Sequence, residues 1–151
     1  MSAVEPRDGR VRRADTLAKL VTPAIDAWVS TASAAGEAHL VPLSLAWVDE
    51  RVVIAVAGAS VTARNISTSG RARLGIGPTR DVVMIDAGLD RAVGVGDDEA
   101  LAEAYAAQAD WDPRSAAGYV FLVLRPVRVQ AWREANEIAG RTLMREGRWL
   151  V

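Results

Sequence analysis

Four hydrogen-bonding side chains follow an apolar segment of the sequence within six residues. The segment 52–57 reads VVIAVA, and after a two-residue turn come Ser60, Thr62, Arg64 and Asn65. If a helix begins near Ser60, its first backbone N–H groups lack partners within the helix and its dipole attracts an anion. The guanidinium of Arg64 would add a charge-assisted hydrogen bond. The segment therefore indicates an anion site, although an N-cap serine, a solvated arginine and a turn asparagine explain the same residues equally well.

The sequence offers few other groups that could catalyse a reaction or bind a metal ion. It has no cysteine and a single histidine, His39, so neither a cysteine site nor a multi-histidine zinc site can be built within one chain. The GASVT around Ser60 is not the GxSxG of a nucleophile elbow, and neither GxGxxG nor GxxxxGK[ST] occurs. Hydrolysis and nucleotide binding through these motifs are therefore disfavoured. His39 is expected to be a strand-end residue or a neighbour of a cofactor.

The charge balance and the hydropathy of the sequence exclude several classes of partner. The chain carries 18 basic and 19 acidic residues, which does not suit a protein held to nucleic acid by phosphate contacts. No apolar run approaches the roughly 20 residues of a membrane helix. The first residues, MSAVEPRDGRVRR, lack the apolar core of a signal peptide. We therefore expect a cytoplasmic protein that binds neither nucleic acid nor a membrane.

The hydrophobic pattern predicts a β-rich domain. Strand-like segments occur at 25–33, 39–48, 52–57, 71–77, 81–88, 91–96 and 119–132. Helical spacing predicts helices beginning at Ala14, near Val61 and after Glu99. Pro42 lies within a predicted strand, and this position favours a sheet edge, a bulge or an unpaired N–H. Short strands with glycine turns and few helices are typical of a small antiparallel barrel with peripheral helices.

The chain divides into three parts of unequal length. Residues 1–13 are predicted to be a flexible arm because four arginines surround a proline and a glycine there. Residues 14–134 form the predicted β domain. Residues 135–151 contain enough apolar side chains to pack on that domain or on a partner subunit.

Four segments of this sequence resemble a known family. The strand HLVPLS, the turn AVAGASVTARNI, the segment RARLGIGPTRDVV and the late AWRE are similar to segments of the pyridoxamine phosphate oxidase-like flavin- and deazaflavin-binding split barrels. The resemblance extends over residues 26–134. It implies a six-stranded antiparallel split barrel that forms a homodimer. Two equivalent sites at the subunit interface would each hold FMN or a deazaflavin coenzyme.

The resemblance also implies positions for the cofactor. It places the phosphate near Ser60, Thr62, Arg64 and Asn65. It places the ring system against Val41, Pro42, Leu43, Ser44 and the segment from Ala55 to Ala57. Trp132 and Arg133 would close the site from the second subunit. Many members carry a basic residue where this chain has Thr62, so Arg64 is left as the charged side chain of the turn.

The function implied by the resemblance is that of an oxidoreductase. The cofactor carries the hydride chemistry and the protein binds and orients it, so no catalytic acid or base is required and none is assigned. The substrate would be a small organic molecule. A non-catalytic protein that binds or carries a flavin or a tetrapyrrole is the alternative, and a structural dimer with a vestigial pocket is a third reading.

Overall fold

One antiparallel sheet dominates the backbone of the computed structural model, which describes residues 4–151. The strands are β1 (Asp26–Ala32), β2 (Ala38–Ser44), β3 (Ala46–Val48), β4 (Arg51–Ala57), β5 (Arg71–Ile76), β6 (Val82–Gly94), β7 (Tyr119–Trp132), β8 (Thr142–Arg145) and β9 (Arg148–Trp149). Seven of them follow the order β2-β1-β5-β6-β7-β4-β3, and the hairpin β8–β9 pairs with β7. The sheet is therefore open, with β2 at one edge and β3 at the other.

The prediction of six strands was wrong in number. The predicted strand at 39–48 divides at Leu45, a fully buried residue whose N–H donates to the carbonyl of Ile25. The two segments predicted at 81–88 and 91–96 form the single strand β6, which carries two register shifts. The C-terminal segment adds the hairpin β8–β9. The broad prediction of a mainly antiparallel β protein with peripheral helices is confirmed.

Three α-helices lie at the periphery of the sheet in the described part of the chain. They are α1 (Gly9–Leu20), α2 (Val61–Ser69) and α3 (Glu99–Ala109), and short 3-10 segments cover Pro113–Ser115 and Ala135–Gly140. The side chain of Asp98 accepts a hydrogen bond from the N–H of Leu101 and so caps α3. None of the helices within residues 4–151 is long and apolar enough to cross a bilayer.

Helix α1 begins earlier than the sequence predicted. Asp8 caps it by accepting a hydrogen bond from the N–H of Val11, so the helix starts at Gly9 and not at Ala14. Residues 9–13 of the predicted flexible arm are therefore helical. Residues 1–3 of the predicted arm lie outside the described residues.

A buried cluster of charges fastens the segment before α1 to the 3-10 segment at Ala135–Gly140. Arg7 donates three hydrogen bonds to the carboxylate of Glu137, from its backbone N–H, its Nε and its Nη2, at 2.7–3.0 Å. The N–H of Arg133 donates a fourth at 2.9 Å. The hydrogen bonds from Arg7 hold the pKa of Glu137 at about 2, against the opposing effect of burial.

The apolar core has two parts that share β4 and β7. Val52, Ile54 and Val56 of β4 pack on one side of the sheet, whereas Val53 and Ala55 pack on the other beneath α3. Both faces of the VVIAVA segment are therefore buried, and this explains why it is apolar at successive positions.

One sheet surface, which we call the outer face, leaves large apolar side chains exposed. Register pairs align Trp28 with Pro42 and with Gly75, and Gly75 with Met84, so these residues share one face. Trp28 is 55% exposed, and Leu40, two residues before Pro42, is 59% exposed. The outer face comprises Trp28, Leu40, Pro42, Gly75, Met84, Gln130 and Trp132. Adjacent exposed side chains of this size are typical of a surface that another protein covers.

Candidate functional site

A groove of about 610 Å³ lies beside the C-terminal end of β4. The edge strand β2 approaches β4 but is not paired with it, so the groove occupies the gap left by the open sheet. Its lining residues come from β2, β4, the start of α2 and the chain around α3 and β7. They are His39, Val41, Pro42, Leu43, Ser44, Ala55, Val56, Ala57, Ser60, Val61, Thr62, Trp111 and Tyr119.

Strand β2 forms one wall of the groove. His39 pairs in register with Thr31, and Leu43 pairs with Ala27; both partners are buried. His39, Val41 and Leu43 therefore share the inward face of β2. Because β2 is the sheet edge, the backbone groups on its free side have no neighbouring strand to bond. Pro42 lacks an N–H and sits on this edge strand, which confirms the edge position predicted for it.

The start of α2 closes one end of the groove. The Oγ of Ser60 accepts a hydrogen bond of 3.1 Å from the N–H of Ala63, and the carbonyl of Ser60 accepts the first helical hydrogen bond from Arg64. The N–H groups of Val61 and Thr62 are left without an acceptor among residues 4–151. Both residues line the groove, so two free donors and the positive end of a helix dipole lie at its edge.

Two aromatic side chains that sequence reasoning did not assign form another part of the lining. The rings of Trp111 and Tyr119 meet edge to face, with centroids 5.9 Å apart. Tyr105 lies behind them, fully buried, with its ring centroid 6.1 Å from that of Trp111. Burial raises the pKa of Tyr105 to about 12, so its hydroxyl stays protonated. The available signal for Tyr119 was its place at the start of β7, where it pairs with Ala57.

The described groove lining is polar in places but carries no charged aspartate, glutamate, lysine or arginine side chain. The polar atoms available are hydroxyls, the imidazole of His39 and backbone groups. The arrangement therefore favours an apolar ring system with one anionic or polar end at the start of α2.

The structure brings together most of the residues that the sequence singled out. Along one groove it gathers Val41, Pro42, Leu43, Ser44, Ala57, Ser60 and Thr62. Arg64 is exposed and does not line the groove. It lies three residues after Val61, so both side chains project from one exposed side of α2.

Asn65 does not lie in the groove. It is 6% exposed, and its Nδ2 donates a hydrogen bond of 3.1 Å to the Oγ1 of Thr31 in β1. The contact joins α2 to the sheet. Asn65 was predicted to contact the cofactor phosphate, but within this chain it has a structural role because its amide faces the sheet.

Trp132 and Arg133 lie away from the groove within one chain. Trp132 borders a second cavity of about 380 Å³ on the outer face, which is lined by Arg73, Met84, Asp86, Gln130, Trp132, Ile138 and Arg141. The Nε of Arg133 lies 3.3 Å from a carboxylate oxygen of Asp81. Neither position within one chain tests the expectation that these residues act from a second subunit.

Comparison with solved structures identifies the fold. An F420 reductase superposes with a TM-score of 0.60 at 16% identity, over 73% of this chain and 92% of that one. A pyridoxamine 5′-phosphate oxidase-like protein from Listeria innocua gives 0.60 at 11% identity, over 80% and 98% of the two chains. The haem storage protein HutZ from Vibrio cholerae gives 0.60 at 13% identity, over 78% and 92%.

No protein-family model and no curated protein matches the sequence itself. The likeness is therefore one of fold and lies below the level at which sequence similarity reveals shared chemistry. The open antiparallel sheet, its peripheral helices and these structural neighbours agree with one another. The chain therefore has the same fold as these solved structures.

Proposed function

We propose that the protein is an oxidoreductase that binds FMN or a deazaflavin coenzyme in the groove and acts on a small organic substrate. The observation that carries the proposal is the groove itself, which combines apolar walls with two free N–H groups at a helix start. Apolar walls suit a flavin-like ring, and the free N–H groups suit its phosphate tail. The F420 reductase among the structural neighbours supports the same ligand class.

The residues of the groove fit such a cofactor. Val41 and Leu43 supply apolar contact for a ring, and the free edge of β2 supplies backbone groups for its polar rim. The N–H groups of Val61 and Thr62 suit a phosphate. Once bound, the cofactor would supply the hydride chemistry. The protein would orient it and exclude water from its face.

We also propose that two copies associate through the outer face. Trp28 and Leu40 expose apolar surface there, and β2 connects this surface directly to the groove. Association would bury that surface and bring Trp132 of the partner subunit towards the groove. The cofactor sites would then lie at the subunit interface.

The proposal is tested by titrating the protein with FMN and with a deazaflavin coenzyme, following cofactor fluorescence. The Arg64→Ala variant should bind the preferred cofactor about fivefold more weakly, or about 1 kcal/mol, because Arg64 is an exposed charge near a phosphate and not a buried one. Arg148→Ala is the matched control. Arg148 is also exposed, has no ion pair among residues 4–151 and lies in β9.

The outcomes separate the parts of the proposal. Equal affinity in wild type and in Arg64→Ala would remove Arg64 from the site. Failure of both cofactors to bind at micromolar concentration would contradict cofactor binding altogether. Turnover is shown by reducing the bound cofactor with a nicotinamide donor and reoxidising it with an organic acceptor.

A second candidate function is the binding or carriage of a tetrapyrrole. The absence of a charged side chain along the described groove lining supports it, because the large apolar macrocycle of a tetrapyrrole can be held by apolar walls with a few polar groups. The likeness to a haem storage protein supports it as well. Tight haemin binding without turnover of a reduced flavin would favour this function over the first.

A further inference from the structure

His39 is the one groove residue with a nitrogen donor that metal ions prefer. Its imidazole lines the groove and is partly exposed. None of the side-chain hydrogen bonds within residues 4–151 involves it. Its backbone is fixed because His39 pairs with Thr31, whose own side chain is held by Asn65. The sheet therefore fixes the backbone of His39, and its imidazole has no hydrogen-bond partner among residues 4–151.

A bare metal ion would need more ligands than the described residues supply. No group of three histidine, cysteine, aspartate or glutamate side chains with metal-binding spacing occurs in residues 4–151. The iron of a haem is different, because the porphyrin supplies four nitrogen ligands and the protein needs to supply only one or two. One accessible imidazole beside an apolar groove is sufficient for that chemistry.

The rest of the groove suits the ring and its substituents. Leu43 and Val41 lie on the same inward face as His39, so the imidazole is flanked by apolar side chains. Trp111 offers an aromatic surface. The free N–H groups at the start of α2 suit a propionate carboxylate as well as they suit a phosphate.

We propose that His39 is an axial ligand of haem iron bound in the groove, with an imidazole nitrogen donating its lone pair to the iron. The inference rests on the second candidate function, tetrapyrrole binding, and does not depend on flavin chemistry. Haem and flavin would occupy the same space, so each should displace the other. Tyr119, whose phenol can also bind haem iron, is the competing ligand within the groove.

The test is a haemin titration of the full chain, followed through the Soret band. His39→Ala should weaken haemin binding by about tenfold or more and shift the Soret maximum, because the iron loses its protein nitrogen. Adding free imidazole to the variant should restore the wild-type spectrum, since it refills the vacated position. This rescue would not occur if His39 served only to shape the groove.

Two comparisons keep the outcome unambiguous. The far-UV circular dichroism and the thermal unfolding midpoint of His39→Ala should match those of wild type, which shows that the fold is intact. The assignment would be overturned if the Soret band of His39→Ala were unchanged. It would also be overturned if Tyr119→Phe, and not His39→Ala, shifted the band. A wild-type protein that binds FMN but not haemin would also overturn it and would leave the oxidoreductase proposal standing.

Discussion

Asn65 shows how a polar residue that sequence reasoning placed at a cofactor phosphate can serve the fold. Asn65 and Thr31 are each 6% exposed, and the amide of Asn65 donates a hydrogen bond to the hydroxyl of Thr31. A buried donor and acceptor that satisfy each other avoid the desolvation penalty that each would have alone. The pair therefore fixes the position of α2, and through α2 the free N–H groups at the groove.

Replacing Asn65 with alanine should destabilise the protein by roughly 1–3 kcal/mol, because the buried Thr31 hydroxyl loses its donor. Thr31→Val should be destabilising alone and much less so in the Asn65→Ala background. Chemical denaturation of the four proteins in this double-mutant cycle measures the coupling. Strictly additive effects of the two changes would show that the hydrogen bond contributes nothing.

The ionisation of Glu137 makes the free energy of unfolding depend on pH in the acid range. Its pKa is lowered from an ordinary value of 4.5 to about 2 by the hydrogen bonds from Arg7, so folding favours the ionised form. The resulting stabilisation is complete above about pH 5 and is lost as the pH falls from 4.5 towards 2. Glu137→Gln should lower the free energy of unfolding by about 3 kcal/mol at pH 7.

The measurement is urea denaturation of wild type and Glu137→Gln at pH 7 and at pH 3. The difference between the two proteins should shrink at pH 3, because the wild-type carboxylate is then losing its advantage. Glu134→Gln is a suitable control, since Glu134 pairs with Arg80 on an exposed surface. A difference for Glu137→Gln that is independent of pH would contradict the assigned role.

At the scale of elements, two hairpins of equal loop length differ in turn chemistry. The turn between β3 and β4 uses Asp49 and Glu50, both in the left-handed region with φ of 50° and 59°. The turn between β8 and β9 uses Glu146 and Gly147 with φ of 53° and 76°. Two-residue hairpins of this kind require positive φ at both positions, and glycine adopts it without strain.

Glu50→Gly should therefore stabilise the protein by about 1 kcal/mol, and Gly147→Ala should destabilise it by a similar amount. Thermal unfolding of the two variants against wild type measures both effects. The critical result is that the two substitutions change the free energy of unfolding in opposite directions. A loss of stability in Glu50→Gly would mean that the carboxylate of Glu50 contributes more than the backbone strain costs.

The sequence was sufficient for elements whose chemistry is local. The N-cap serine of α2, the acidic start of α3 and the edge position of Pro42 all follow from side chains within a few residues. Strand boundaries were less accessible where long-range pairing decides them. The break at Leu45 depends on a bond to Ile25. The continuity of β6 depends on a register shift between Leu89 and Arg91, which face Leu124 and Val123 of β7.

The same limit applies to the candidate site. Val41 and Ser60 could be placed in it because their segments carry recognisable patterns. Trp111 and Tyr119 could not, because their approach to β2 depends on how the chain after α3 returns to the sheet. The burial of Asn65 likewise depends on the packing of α2 against β1, which its local pattern does not encode.

At the scale of the whole molecule, the outer face predicts self-association. Leu40 is exposed on an edge strand, so Leu40→Glu should leave the fold intact and place a charge in the proposed interface. Sedimentation should show a dimer for wild type and a monomer for the variant at micromolar concentration. Val21→Glu, which adds the same charge at an exposed position following α1, should remain dimeric.

A monomeric wild-type protein would contradict the dimer but would leave the groove chemistry untouched. Dissociation caused equally by both glutamate variants would point to a general effect of charge. These outcomes matter for the site, since the closing role that we propose for Trp132 requires a partner subunit.

Strand β2 has one further consequence. His39, Val41 and Leu43 lie on the inward face of this strand, and Leu40 lies on the outer face. A ligand that orders β2 from the groove would also order the surface at which we propose that a second copy docks. Because such coupling is reciprocal, each event should strengthen the other by the same factor. Cofactor affinity should therefore rise with protein concentration, and cofactor-free protein should dissociate more readily on dilution.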